Sequence, residues 1–116
     1  MIQGASGSFF PIYSRQEGEP AMIKHIVLFK LKDRSPENIA RTAQVLRDLD
    51  GKIEVLRSIE IGVDALHSER SYDIALTAVF DSMEDLQTYQ VHPVHQKVIE
   101  YMSTVRESAA SVDYSY

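Results

Sequence analysis

Three ring side chains able to hold or move a proton lie close together at Tyr89-Gln-Val-His-Pro-Val-His95. A neutral imidazole can take a proton from a carbon next to a carbonyl, and a phenol can donate to the oxygen where charge then collects. The pairing therefore suits general-base chemistry. Pro93 lacks a backbone N–H and disfavours helical geometry in the residue before it, so a helix ending near Gln90 restarts with Pro93 at its first position. His92 then stands at the cap and His95 in the first turn. There the positive end of the helix dipole disfavours imidazolium and favours the neutral form that a base needs. Val98, Ile99 and Met102 follow at helical spacing, which turns His95 inward with the apolar stripe. Taken alone, such a histidine reads first as a core residue hydrogen-bonded to a carbonyl, with His92 a solvated cap. A second imidazole, His25, opens an apolar strand and moves the balance some way toward a shared pocket.

The scaffold for these residues is one domain, because 116 residues bury a real core but do not divide into two. A composition of 44% hydrophobic and 25% charged residues is that of a globular protein. The net charge of −5 argues against nucleic acid as a partner, since phosphate backbones are bound by clusters of Lys and Arg. The chain has no cysteine, which removes thiol nucleophiles, thiolate metal sites and disulfides and suits a reducing compartment. The longest apolar run, Ile26 to Phe29, is far short of a membrane span, so the expected location is the cytoplasm.

Residues 1–21 have no basic start followed by an apolar run and no long periodicity, so they read as a disordered leader or extension. Glu17-Gly18-Glu19 implies a purine-rich tract just before the codon for Met22, which is consistent with a natural start at Met22. From Ile23 to Leu31, His25, Val27, Phe29 and Leu31 alternate with Ile26 and Leu28, a strand apolar on both faces. Ser35-Pro36-Glu37 caps an amphipathic helix that carries Ile39, Ala43, Leu46 and Leu49 and closes at Gly51. Ile53 to Val63 reads as a second strand, Asp64 to Ser71 as a polar loop with freedom to move, and Tyr72 to Phe80 as a third strand. Asp81 and Ser82 open the helix leading into the His-Pro break, a final helix runs to about Arg106, and Ala109 to Tyr114 forms a short fourth strand.

Strand, helix, strand, strand, helix, strand is the ferredoxin-like α+β order, an antiparallel four-stranded sheet with helices on one face. The other face, with Ile26, Leu28, Ala75 and Val79, is too apolar for water, so a second copy is expected to cover it and form a dimeric α/β barrel. Tyr114 and Tyr116 are expected dimer contacts.

The segments MIKHIVLFKLK at 22–32, YDIALTAVFDSMEDLQTYQVHPVHQ at 72–96 and the closing VDYSY resemble the stress-responsive dimeric α/β-barrel (Dabb) domain family. The resemblance runs from residue 22 to 116 and implies a homodimer with one pocket per subunit between sheet and helices. Some plant members that the chain resembles are polyketide cyclases. Carried over position by position, that likeness makes His95 the base, Tyr89 the phenol at the developing oxyanion and His25 the supporting imidazole. Phe29 and His92 complete the expected ligand-binding set, for a small aromatic or β-keto compound. The first helix lacks the pocket tyrosine of such cyclases, since Ile39 to Leu49 holds none. No metal or organic cofactor is needed for this chemistry; a zinc-like site of His25, His92 and His95 would have to draw on Glu84, Asp85 or water. The competing expectation is a non-catalytic, stress-responsive oligomer in which the same rings form a structural network.

Overall fold

The computed structural model describes residues 22–116; the expected leader, 1–21, lies outside the described residues. Ile23–Leu31 forms β1, and its alternation sends Ile23, His25, Phe29 and Leu31 to the core. In Pro36–Arg47, α1, the Ser35 Oγ accepts from the Asn38 N–H at 3.3 Å and Pro36 occupies the first turn. Its buried stripe of Ile39, Ala43 and Leu46 packs on the sheet, and Gly51 takes a positive φ of 79° where the chain turns back. The remaining elements are β2 (Ser58–Val63), β3 (Ile74–Phe80), α2 (Met83–Val91), α3 (Pro93–Val105) and β4 (Arg106–Ser115). The sheet order is β2-β3-β1-β4 and all three pairings are antiparallel, the ferredoxin-like α+β arrangement expected from the sequence.

Three boundaries differ from expectation. Residues 53–57 are a turn and irregular chain rather than strand: Lys52 and Leu56 donate back three residues to Leu49 and Ile53, and Ile53 is buried in the core. β3 starts two residues late, because the Asp73 N–H is taken by the Phe29 carbonyl while the Asp73 side chain turns into the interior. β4 is longer than expected, since α3 passes into it at Arg106 without a loop. The Asp64–Ser71 loop is also tethered: Arg34 donates to the carbonyls of Ser68 and Ser71 and to the Asp73 carboxylate.

The two faces of the sheet have different covers. The helix-facing side carries the core of Ile23, Phe29, Leu31, Ile61, Leu76 and Phe80 with α1 and Leu86, Tyr89 and Met102 of α2 and α3. On the opposite side Leu28 is exposed, Ile26, Ala75 and Val79 are half-buried, and Val112 and Tyr114 of β4 stand open at 52% and 42%. Lys24 lies over the Tyr116 ring at 4.8 Å on this side. No described helix is long and apolar enough to cross a membrane.

Candidate functional site

The His-Pro break builds the site from local rules. Ser82 caps α2, which ends at Val91. His92 then takes an extended conformation (φ −64°, ψ 137°), as the residue before a proline does, and breaks the helix. Its Nδ1 accepts the Val94 N–H at 3.1 Å, so His92 caps α3 with an unprotonated Nδ1. One turn on, the His95 Nδ1 lies 3.2 Å from the Gln90 carbonyl. A carbonyl only accepts, so Nδ1 carries the proton and the lone pair of a neutral His95 is on Nε2. Burial holds the His95 pKa below its ordinary 6.5; the Gln90 bond opposes this, while His25 and His92 nearby push the same way as burial.

Tyr89 precedes the break and lies wholly inside, 1% exposed. Its ring packs on Phe80 at 4.9 Å and on His95 at 4.1 Å, and meets His25 edge-on at 6.1 Å. Burial pushes its phenol up to about 12, so the hydroxyl stays protonated at neutral pH. His25, from β1, donates through Nδ1 to the carboxylate of Asp113 on β4, directly across the strand pair. The acceptor fixes the ring orientation and leaves Nε2 of a neutral His25 for other partners.

His25 and His95 line one cleft of about 350 Å³ between α3 and the β1–β4 pair, with Phe29 and Val27 on its floor and Ala109 to Ser111 on its wall. Of the five residues expected to form the site, His25, Phe29 and His95 line this cleft. Tyr89 supports the two imidazoles from behind, and His92 is engaged as a helix cap. Asp113 was not expected. Its partner is 88 residues away on a non-sequential strand, and only the β1–β4 register, His25 opposite Asp113, reveals it. Among the described residues no cluster of His, Asp and Glu has the makings of a metal site.

The chain has relatives in sequence and in fold. The family model for the stress responsive A/B barrel domain matches residues 23–116. An uncharacterized protein of Streptomyces coelicolor is 36% identical over 78 residues, 65% of this chain and 80% of that protein. A dimeric protein of unknown function with a ferredoxin-like fold from Bacteroides fragilis is 37% identical in structural alignment. Its TM-score is 0.70, covering 82% of this chain and 96% of that one. The hydroxynitrile lyase from Passiflora edulis superposes with a TM-score of 0.73 over 84% of this chain and 95% of its own, at 16% identity, a likeness of fold. The chain spans 41% and 47% of two longer Arabidopsis thaliana proteins that contain stress-response A/B barrel domains. With the family model matched from the first strand to the last residue, this chain belongs to the stress-responsive A/B barrel (Dabb) domain family.

Proposed function

We propose that the protein binds a small aromatic or β-keto compound in the His25–His95 cleft and catalyses a cofactor-independent cyclisation or lyase reaction there. The observation that carries this reading is the pair of imidazoles on one hollow, with His95 held neutral and its Nε2 unprotonated. In the proposed step Nε2 of His95 removes a proton from a carbon or hydroxyl beside the reacting bond. Tyr89 lies behind the cleft lining and is proposed to act through His95, whose ring it stacks on at 4.1 Å and holds in place for the transfer. His25, oriented by Asp113, supports the substrate from the opposite wall. A hydroxynitrile lyase on the same fold supports the lyase side of this reading.

The working unit is proposed to be a homodimer in the cytoplasm, joined through the uncovered sheet face. Support comes from the exposed Leu28, Val112, Tyr114 and Tyr116 and from the dimeric Bacteroides fragilis relative. Sedimentation should give twice the 13.1 kDa chain mass, and Val112→Glu should return the monomer.

Turnover of a panel of β-keto thioesters, β-keto acids and cyanohydrins tests the chemistry. His95→Gln is expected to lower the rate by about 10²–10⁴ with the fold intact. Tyr89→Phe keeps the stacked ring and removes only the hydroxyl, so near-full activity is expected if Tyr89 acts by holding His95, while a large loss would put its hydroxyl on the oxygen that gains charge. The competing reading, a non-catalytic stress-responsive oligomer, draws on the burial of Tyr89 among Phe80, His25 and His95. It predicts no turnover and no saturable binding by wild type.

A further inference from the structure

The proposed chemistry leaves Arg106 unused, yet the fold takes trouble to place it. β1 and β4 pair in constant register from Ile23 opposite Ser115 to Lys30 opposite Ser108, and there the register slips, so that Leu31 faces Arg106. Unbroken pairing would have set Glu107 opposite Leu31. The extra residue of the bulge is thus a carboxylate, and bulges re-aim the side chains beside them. Leu31 belongs to the helix-facing side along with His25 and Phe29, so its partner Arg106 is brought to that side too.

There Arg106 lines a second hollow, of about 220 Å³, whose other walls include Leu46, Val98 and Met102. This hollow and the His25–His95 cleft have Phe29, His95, Ile99 and Ala109 in common. The two make one groove, with the His25–Asp113 pair at one end, His95 along it and Arg106 at the other end. Among the described residues the Arg106 guanidinium forms no ion pair, whereas Arg34 and Arg57 each hold an aspartate. In a chain of net charge −5, a free guanidinium at the end of an apolar groove is suited to a planar anion, which its fork can hold through two parallel bonds.

Resting on the binding site proposed above, we infer that the groove selects small monocarboxylates with an apolar aryl or alkyl body, the carboxylate held by Arg106. Arg106 is three residues from Ala109, which both hollows share, or about 10 Å at the rise of a strand. The acid group therefore lies several bonds from the carbon that faces His95, and the body of the ligand covers Phe29 and Ile99.

The probes are 4-phenylbutanoate and its uncharged amide, titrated into the full chain by calorimetry. Wild type is expected to prefer the acid by about tenfold or more, the size of one charge-assisted hydrogen bond at a partly wet site. Arg106→Gln is expected to bring the ratio near one while leaving amide affinity unchanged, and Arg106→Lys to restore part of the preference. The side chain is exposed and the helix-closing bond to the Met102 carbonyl uses the Arg106 backbone N–H, so these variants keep the fold, as a thermal melt would verify. Equal binding of acid and amide by wild type, the same ratio in Arg106→Gln, or no binding of either probe would overturn the inference. Binding is read without turnover, so the two ideas fail separately. Arg106-dependent acid preference in a protein that turns nothing over removes only the proposed chemistry, and His95-dependent turnover with an unchanged ratio removes only the anion site.

Discussion

Two aspartates serve β1 from its opposite ends, and their surroundings differ. Asp73 is 1% exposed; its carboxylate accepts from the Leu31 N–H and from Arg34 Nε, both at 2.8 Å, and Arg34 also reaches the Ser68 and Ser71 carbonyls. Ser71 and Asp73 border a hollow of about 360 Å³, but the Asp73 side chain is wholly enclosed, and its partners close a loop onto a strand end. Asp113 is partly open to solvent and engages one imidazole, which itself lines a cleft beside a second imidazole. A closed network spends its hydrogen bonds on shape. An open one leaves a nitrogen available on the side where a ligand can stand.

That contrast predicts opposite phenotypes for the two carboxylates. Asp73→Ala removes one partner of a buried pair and leaves the Leu31 N–H without its acceptor. It is expected to cost about 3 kcal/mol in urea denaturation and to speed hydrogen exchange in residues 64–71. A loss below about 1 kcal/mol would make the Arg34 cluster incidental. Asp113→Asn is expected to cost less than about 1 kcal/mol of stability, since the pair is partly solvated. Its effect should appear in turnover, about tenfold down and short of the 10²–10⁴ expected for the base. An Asp113→Asn variant destabilised by about 3 kcal/mol whose folded protein keeps full specific activity would place Asp113 with Asp73.

The smallest expected effect concerns pH. Burial lowers the folded-state pKa of His95, so above the unfolded value of 6.5 both states are neutral and the stabilisation is fully present. As pH falls below 6.5 the unfolded chain takes up the proton first, and stability is lost progressively until His95 protonates in the folded state. Urea midpoints of wild type should therefore drop between pH 7 and 5 more steeply than those of His95→Gln, and identical slopes would contradict burial of this imidazole.

The legible parts of this protein are those governed by neighbours in sequence. Pro93 dictates the helix break, Ser35 and Ser82 dictate caps, and the alternation in Ile23–Leu31 dictates a two-sided strand. Ile53 to Arg57 looked like strand because its apolar residues alternate, but tertiary burial of Ile53 prevailed over local propensity. Asp113 and Arg106 depend on which residue of β4 faces which residue of β1. That register, and the bulge within it, is set by the assembled sheet and leaves no mark on a stretch read alone. The convergence of His25 with His95 follows from the ferredoxin-like order once α3 lies over β1, whereas the seclusion of Tyr89 behind them depends on how Phe80 and Leu86 fill the core.

The proposed chemistry requires His95 to be a neutral imidazole with its free lone pair on Nε2. Long-range nitrogen–proton NMR of the imidazole rings, recorded across a pH titration, tests this directly. At pH 6.5 His95 is expected to be mostly neutral, protonated on Nδ1, and to titrate below 6.5. An imidazolium at that pH, or a neutral ring carrying its proton on Nε2, would contradict it.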